Sequence, residues 1–290
     1  MFKIKNPICY GQDPFILPYN GKYYHYTQSK DDAGFNVFVS DDLQVWTDLG
    51  RCLSPKDCIG CSDFWAPEVI EYNNKFIMVY SADMHLAIAL ADSPIGPYKQ
   101  RKKQWLFEKN AIDGHILIDD NKLYLFNVFW GVTDGNASRE EIWGAELGED
   151  LVVKEKTLTR LIIPEKKWEL EEGNVVEGPY VLKHKDKYYM TYSANNFTCQ
   201  SYAVGYAVAD TPLGKYIKYE NNPILKSGKK YFAPGHNSFF KSIADDSLYC
   251  IYHIHKDKNK AIPRKICLSL AAFKAKQGDN DVLYIEAPIL

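Results

Sequence analysis

The chain is 290 residues long, 46% hydrophobic and 25% charged. That is ordinary globular usage, which excludes disorder and collagen-like structure and leaves enough apolar side chains for a sizeable core. Thirty-five basic residues stand against thirty-seven acidic ones for a formal net charge of -2, so no basic excess holds nucleic acid or an anionic membrane, and any partner must be selected by a local site.

The N-terminal stretch MFKIKNPICYGQDPF lacks the apolar centre of a signal peptide, and no run approaches the ~18 apolar residues of a spanning helix, so a soluble, cytoplasmic protein is expected. Helical periodicity is nearly absent. Instead, one pattern recurs along the chain: an apolar strand, a turn built on Asn, Asp or Gly, then a Lys leading into an aromatic strand. It reads DPFILPYNGKYYHYTQS from Asp13, APEVIEYNNKFIMVYSA from Ala66, DGHILIDDNKLYLFNVF from Asp113 and GPYVLKHKDKYYMTYSAN from Gly178. A looser fifth copy is GHNSFFKSIADDSLYCIYHIH from Gly235. Such turn residues are those a two-residue hairpin demands. A further alternating strand follows each copy, as in NVFVSDDLQVW, LAIALADSPIGPY and AVGYAVADTPLGKY.

Aligned on the turn lysines Lys22, Lys75, Lys122 and Lys187, the copies step by 53, 47 and 65 residues. Units of roughly 40 to 50 residues or a little more, with four strands each, are the signature of propeller blades. Length alone, at roughly 150 residues per domain, suggests two domains. The uninterrupted repeat predicts one: an all-β, five-bladed β-propeller spanning 1–290. A sandwich of unrelated hairpins would not repeat at such intervals. The seven cysteines are an odd number, which favours reduced thiols. Cys58 and Cys61 form a C-x-x-C near Cys52, but no second pair or close histidines complete a zinc site, so these thiols are expected in loops or core.

The innermost strand of each blade borders the central channel, so repeat position becomes functional information. Asp13 and Asp113 each lie nine residues before their turn lysine, and Glu177 lies ten before Lys187. Three carboxylates from three blades are thus predicted to face one cavity. Like charges held together raise one another's pKa, an arrangement that suits a reaction needing both a protonated and an ionised carboxyl. Glycoside hydrolysis is that reaction.

The set GQDPFI with Asp13, WAPEV from Trp65 to Val69, Ile112-Asp113, VEGPY with Glu177 and PGHNS with His236, in this order, resembles glycoside hydrolase family 43, whose members are five-bladed β-propellers. The likeness runs from about residue 6 to the C-terminus. It implies an inverting mechanism in which Asp13 is the general base, Glu177 the general acid and Asp113 the residue that holds the acid and raises its pKa. It further implies that His236 sits at the channel floor, orienting the base or holding a hydrated Ca2+ ion through water, and that Arg264 contacts the sugar. Trp65 and Trp130 are the expected aromatic walls, with Phe64, Asn195 and Phe197 as lesser rim candidates. No organic cofactor is expected. Relatives commonly read Ile-Asp-Pro in the third blade, whereas Gly114 and His115 follow Asp113 here, so His115 could reach the pocket. The chain ends at Leu290 without the C-terminal β-sandwich of some β-xylosidases, which implies a more open pocket.

The function expected from the resemblance is an exo-acting glycosidase releasing terminal α-L-arabinofuranose or β-D-xylose from plant-derived arabinoxylan, arabinan or xylan oligosaccharides. The alternatives are an endo-1,5-α-L-arabinanase and a sugar-binding propeller without catalysis. A fructan hydrolase would carry Arg-Asp-Pro where Ile112-Asp113-Gly114 stands.

Overall fold

The computed structural model describes residues 4–134, 137–278 and 280–290. Five antiparallel sheets follow one another along the chain as blades of a propeller. Blade I comprises Phe15–Tyr19, Lys22–Gln28, Phe35–Ser40 and Thr47–Leu53, and blade II Trp65–Tyr72, Lys75–Ala82 and His85–Ala91. Blade III comprises Ala111–Asp119, Lys122–Asp134, Ala137–Leu147 and Thr159–Ile162. Blade IV is built from Val176–His184, Lys187–Ala194, Ala203–Ala209 and Ile217–Lys218, and blade V from Gly235–Lys241, Leu248–Ile254 and Lys265–Lys274. Among the described residues the only helical pieces are three short 3-10 turns, and no helix is long and apolar enough to cross a membrane.

The hairpin turns form where the repeat places them. Asn20-Gly21, Asn73-Asn74 and Asp120-Asn121 all have positive φ at both central positions, as a two-residue turn matching the strand twist requires. The Tyr-rich second strands then fill the seams between blades. Each of five apolar clusters spans one seam: Tyr26 and Phe35 meet Val69 and Tyr80 between blades I and II, and Tyr189 and Tyr206 meet Phe239 and Tyr252 between IV and V. The tyrosines of these strands therefore serve blade packing. Cys52 and Cys58 are buried, Cys61 is exposed beside Asp83, and all seven cysteines are free.

Both ends of the chain complete blade V. Cys9–Tyr10 pairs with the start of Lys265–Lys274, and Val282–Ile285 pairs with its end. Asn6 extends the N-terminal pairing with its side chain, donating to the Leu268 carbonyl at 2.8 Å and accepting from the Leu268 amide at 2.8 Å. Ring closure thus rests partly on one buried amide. Replacing it leaves both Leu268 groups unpaired in a dry setting, so Asn6→Ala is expected to lower stability by about 1–3 kcal/mol in chemical denaturation; an unchanged midpoint would count against this closure.

Candidate active site

The innermost strand of every blade carries one residue in the left-handed backbone region at its start: Asp13 (φ 46°), Ala66 (45°), Asp113 (57°), Gly178 (56°) and His236 (49°). The pairing register shifts there in blades II to V. A regular strand sends successive side chains to opposite faces. This irregularity breaks the alternation, so the left-handed residue and the one before it both reach the channel mouth. Repeat position therefore places Asp13, Asp113 and His236 in one ring, with Gln12, Trp65, Ile112 and Glu177 one residue earlier on its rim.

The strained positions are held from the neighbouring blade. The Asp113 amide donates to Ser81 Oγ of blade II at 3.0 Å, and the His236 amide donates to Ser193 Oγ of blade IV at 2.7 Å. Blade V presents His253 at the corresponding place, with Nδ1 3.5 Å from both the amide nitrogen and Oδ1 of Asp13. Blade III has Val128 there, which cannot accept. The Gly178 amide instead donates to Asp113 Oδ2 at 3.1 Å, which fixes the Asp113 carboxylate next to Glu177.

These groups line a pocket of about 220 Å3 with Asp13, Asp113 and Glu177 inside and Trp65, Trp130 and Phe197 on its walls. Trp130 is 43% exposed and stands at the mouth. Arg264, itself buried, sets its guanidinium 3.3 Å from Asp13 Oδ1 and its Cζ 4.6 Å above the Phe197 ring. It also donates to Gln12 Oε1. His236 Nδ1 lies 3.3 Å from Asp13 Oδ1 and 3.9 Å from Asp113 Oδ2. Tyr202 donates its hydroxyl to Glu177 Oε1, and its ring stacks on His253 with centroids 5.7 Å apart. Gly235 makes room for that ring, since a Cβ there would meet it at 2.0 Å.

The environments separate Asp13 from Glu177. Burial alone would raise the Asp13 pKa, but His236, Arg264 and His253 outweigh it and hold the group well below the usual carboxylate range. Burial first, then the charge of Asp113, push Glu177 up to about 7 against the opposing pull of His236 and Tyr202. Asp113 is also raised, by burial and by Asp13. Burial opposes protonation of His236, yet the three carboxylates together raise its pKa. His253 is lowered to about 3 by burial and by Arg264, so it is neutral. Its Nε2 faces Arg264 at 3.4 Å, and its Nδ1 faces Asp13. The site can thus present an ionised carboxylate and a protonated carboxylic acid at the same neutral pH.

Three sequence candidates lie elsewhere. Phe64 is fully buried between Phe35 and Tyr80. Asn195 is buried too, its amide tying the Trp168 and Ser201 carbonyls together, and its neighbour Asn196 takes the rim position. His115 turns beneath the site, 2.7 Å from Glu68 Oε2. Gly114 stands at a spot where a Cβ would meet Val79 at 2.4 Å. Gln12, Tyr202 and His253 were not foreseen. His253 had a signal, because YSA, YSA and YHI occupy the same place in three repeats. Tyr202 had none, since it comes from a loop outside the repeat. No three His, Cys, Asp or Glu side chains among the described residues form a metal-ligating group. Asn237 Oδ1, on a residue lining the channel beneath the carboxylates, is buried without a partner.

Known proteins share this sequence and architecture. The model of glycosyl hydrolases family 43 matches residues 4–277. A β-D-galactofuranosidase of Aspergillus niger, xynD, is 28% identical over 280 residues, 87% of this chain and 76% of that protein. The crystal structure of an endo-1,4-β-xylanase from Bacteroides thetaiotaomicron is similar with a TM-score of 0.89 at 36% identity, covering 98% of this chain and 97% of that one. A thermostable family-43 glycoside hydrolase is similar with a TM-score of 0.86 at 38% identity, covering 96% and 93%. A family match over nearly the whole chain, joined to the carboxylates gathered at the propeller axis, places this protein: it belongs to glycosyl hydrolases family 43.

Proposed function

We propose that this glycoside hydrolase is an inverting, exo-acting pentosidase that releases terminal α-L-arabinofuranose or β-D-xylose from xylan or arabinan oligosaccharides. The observation that carries the reading is the unequal setting of two carboxyls in one small pocket: Asp13 lies against Arg264 and His236, which favour its ionised form, while Glu177 has the Tyr202 hydroxyl and the neighbouring Asp113, which raises its pKa. Asp13 takes a proton from the attacking water, and its negative charge is sustained by Arg264 and His236. Glu177 gives its proton to the departing glycosidic oxygen. Asp113 holds the Glu177 segment through the Gly178 amide and favours the protonated acid by its own charge. An inverting pair stands ~6.5–9.5 Å apart to admit the water. Trp65 and Trp130 offer flat surfaces to the sugar ring.

An endo-acting enzyme, an arabinanase or a xylanase, is the second reading, favoured by what the Bacteroides neighbour is named. A panel of nitrophenyl α-L-arabinofuranoside, nitrophenyl β-D-xyloside and linear oligosaccharides decides between them: the exo reading expects monosaccharide as the first product, and larger fragments from the chain interior would overturn it. Release of no sugar from any of them would leave a binding propeller. Proton NMR of the first product is expected to show the inverted anomer.

Asp13→Ala and Glu177→Gln are each expected to lower kcat by about 10²- to 10⁴-fold, with near-normal turnover in either refuting its role. The pH dependence has a definite sign. Glu177 must hold its proton, so kcat/KM falls as pH rises through about 7. Tyr202 hydrogen-bonds the ionised form, so Tyr202→Phe is expected to move that limb to higher pH; a shift to lower pH or none would contradict the contact. The same raised pKa makes the neutral carboxyl a stabilising form below the ordinary glutamate range, lost as pH rises through about 7. Glu177→Gln is therefore expected to unfold at higher temperature than the parent at pH 8.

Calcium is proposed only as a hydrated ion in the channel. Its six to eight oxygens would come mostly from water, with the unpartnered Asn237 Oδ1 as an oxygen donor and His236 reached through water. No chemical step passes through it. Chelator treatment is expected to lower thermal stability or activity, and no effect of either kind would remove the ion from the proposal.

A further inference from the structure

The loop between the second and third strands of blade IV, residues 195–202, touches the supports of both Asp13 and Glu177. Its Phe197 ring lines the pocket and lies against the guanidinium of Arg264, which in turn contacts Asp13. At the far end of the loop Tyr202 donates to Glu177. Little apolar packing fixes the segment between them, since Asn196, Thr198 and Gln200 are exposed and Phe197 is half-buried. Polar ties give the turn its shape: the Cys199 amide donates to the Asn196 carbonyl at 2.9 Å, and the Thr198 amide and hydroxyl donate to Asn196 Oδ1 at 3.0 and 2.7 Å. These bonds lie within the turn and do not seat it on the propeller.

Seating comes from other elements. Glu172, in the crossover from blade III, accepts the Ser201 hydroxyl at 2.5 Å, and Ser227, in the crossover to blade V, donates to the Gln200 carbonyl at 2.8 Å. Phe197 itself is held by blade V. The Nε2 of His255 lies 2.7 Å from the Phe197 carbonyl; a carbonyl can only accept, so Nε2 carries the hydrogen and donates. His255 is 3% exposed, and its own amide donates to the Phe232 carbonyl at 2.9 Å. Ile254 and Lys265 are the last paired residues of their two strands, so His255 and Arg264 stand side by side where that hairpin opens. One takes the carbonyl of Phe197 and the other its ring. With the carbonyl fixed, the ring has little freedom to leave the guanidinium.

We propose that His255 is a positioning residue of the pocket, which by donating to the Phe197 carbonyl keeps the Phe197 ring on Arg264 and supports hydrolysis without touching the sugar. The inference rests on the glycosidase reading above. Its test is kcat/KM for whichever nitrophenyl pentoside the parent cleaves, in His255→Ala, His255→Gln, Phe197→Ala and the double variant, with folding checked by thermal melting. His255→Ala is expected to lower kcat/KM about tenfold, the loss of one buried hydrogen bond. His255→Gln keeps an N–H near the place of Nε2 and is expected to recover most of that loss. In the Phe197→Ala background, His255→Ala is expected to cost less than about twofold more, because the contact it maintains is already gone.

A loss within twofold in His255→Ala, no recovery by glutamine, or equal losses in both backgrounds would overturn the positioning role and leave the glycosidase reading intact. Should His255→Ala not fold, His255→Leu replaces it in the same cycle, and failure of both to fold would make the histidine structural and overturn the role. If the parent cleaves neither pentoside, the glycosidase reading fails, and calorimetric titration with xylotriose and arabinotriose judges the grip alone. Binding that weakens in His255→Ala and returns in His255→Gln then supports it, and equal or absent binding overturns it.

Discussion

The site depends on one backbone constraint, the left-handed turn at the start of each innermost strand. Four of its five occupants, Asp13, Ala66, Asp113 and His236, are not glycine, and each carries a steric cost of roughly 1–2 kcal/mol for that conformation. The conformation persists because the surrounding ring over-determines it. Ser81 and Ser193 accept the amides of Asp113 and His236 across blade boundaries, so a blade's strain is held by its neighbour and not by its own sheet. Closure of the ring and shape of the site are therefore one property, and the pairing of Cys9–Tyr10 and Asn6 with blade V belongs to both.

From that geometry the electrostatics follow. The turns bring three carboxyls to the axis, Asp13 and Asp113 buried and Glu177 half-buried, where they cannot all ionise cheaply. The two cations are placed unevenly: Arg264 and His236 both contact Asp13, whereas Glu177 has a tyrosine hydroxyl and a neighbouring carboxylate. Asymmetry of partners drives the pKa values of similar side chains apart, Asp13 downward and Glu177 upward. Val128 contributes by what it lacks. Because it cannot accept the Gly178 amide, Asp113 does, and the residue that raises the Glu177 pKa is also the one that fixes its position.

Much of this was legible because propeller blades repeat. Equal spacing to the turn lysine placed Asp13 and Asp113 at one structural position and Glu177 one residue earlier, and the positive-φ ring occupies that alignment. Residues outside the repeat were not legible. Tyr202 comes from the loop joining two strands of blade IV, and its contact with Glu177 depends on a path no local pattern encodes. Phe64 and Asn195 were misplaced for a related reason. Both adjoin pocket residues, Trp65 and Asn196: Phe64 points away from its neighbour as adjacent side chains of an extended chain do, and Asn195 is turned inward by a left-handed bend at φ 73°.

The sequence by itself determined the architecture and the carboxylate set, because hydrophobic period, turn chemistry and repeat spacing are local quantities that five copies report together. Only the tertiary structure decided which carboxyl has its pKa lowered and which has it raised, since a pKa is set by burial and by charges that arrive from other blades. It alone also revealed the grip of His255 and Arg264 on Phe197, which exists only where a loop of blade IV meets blade V.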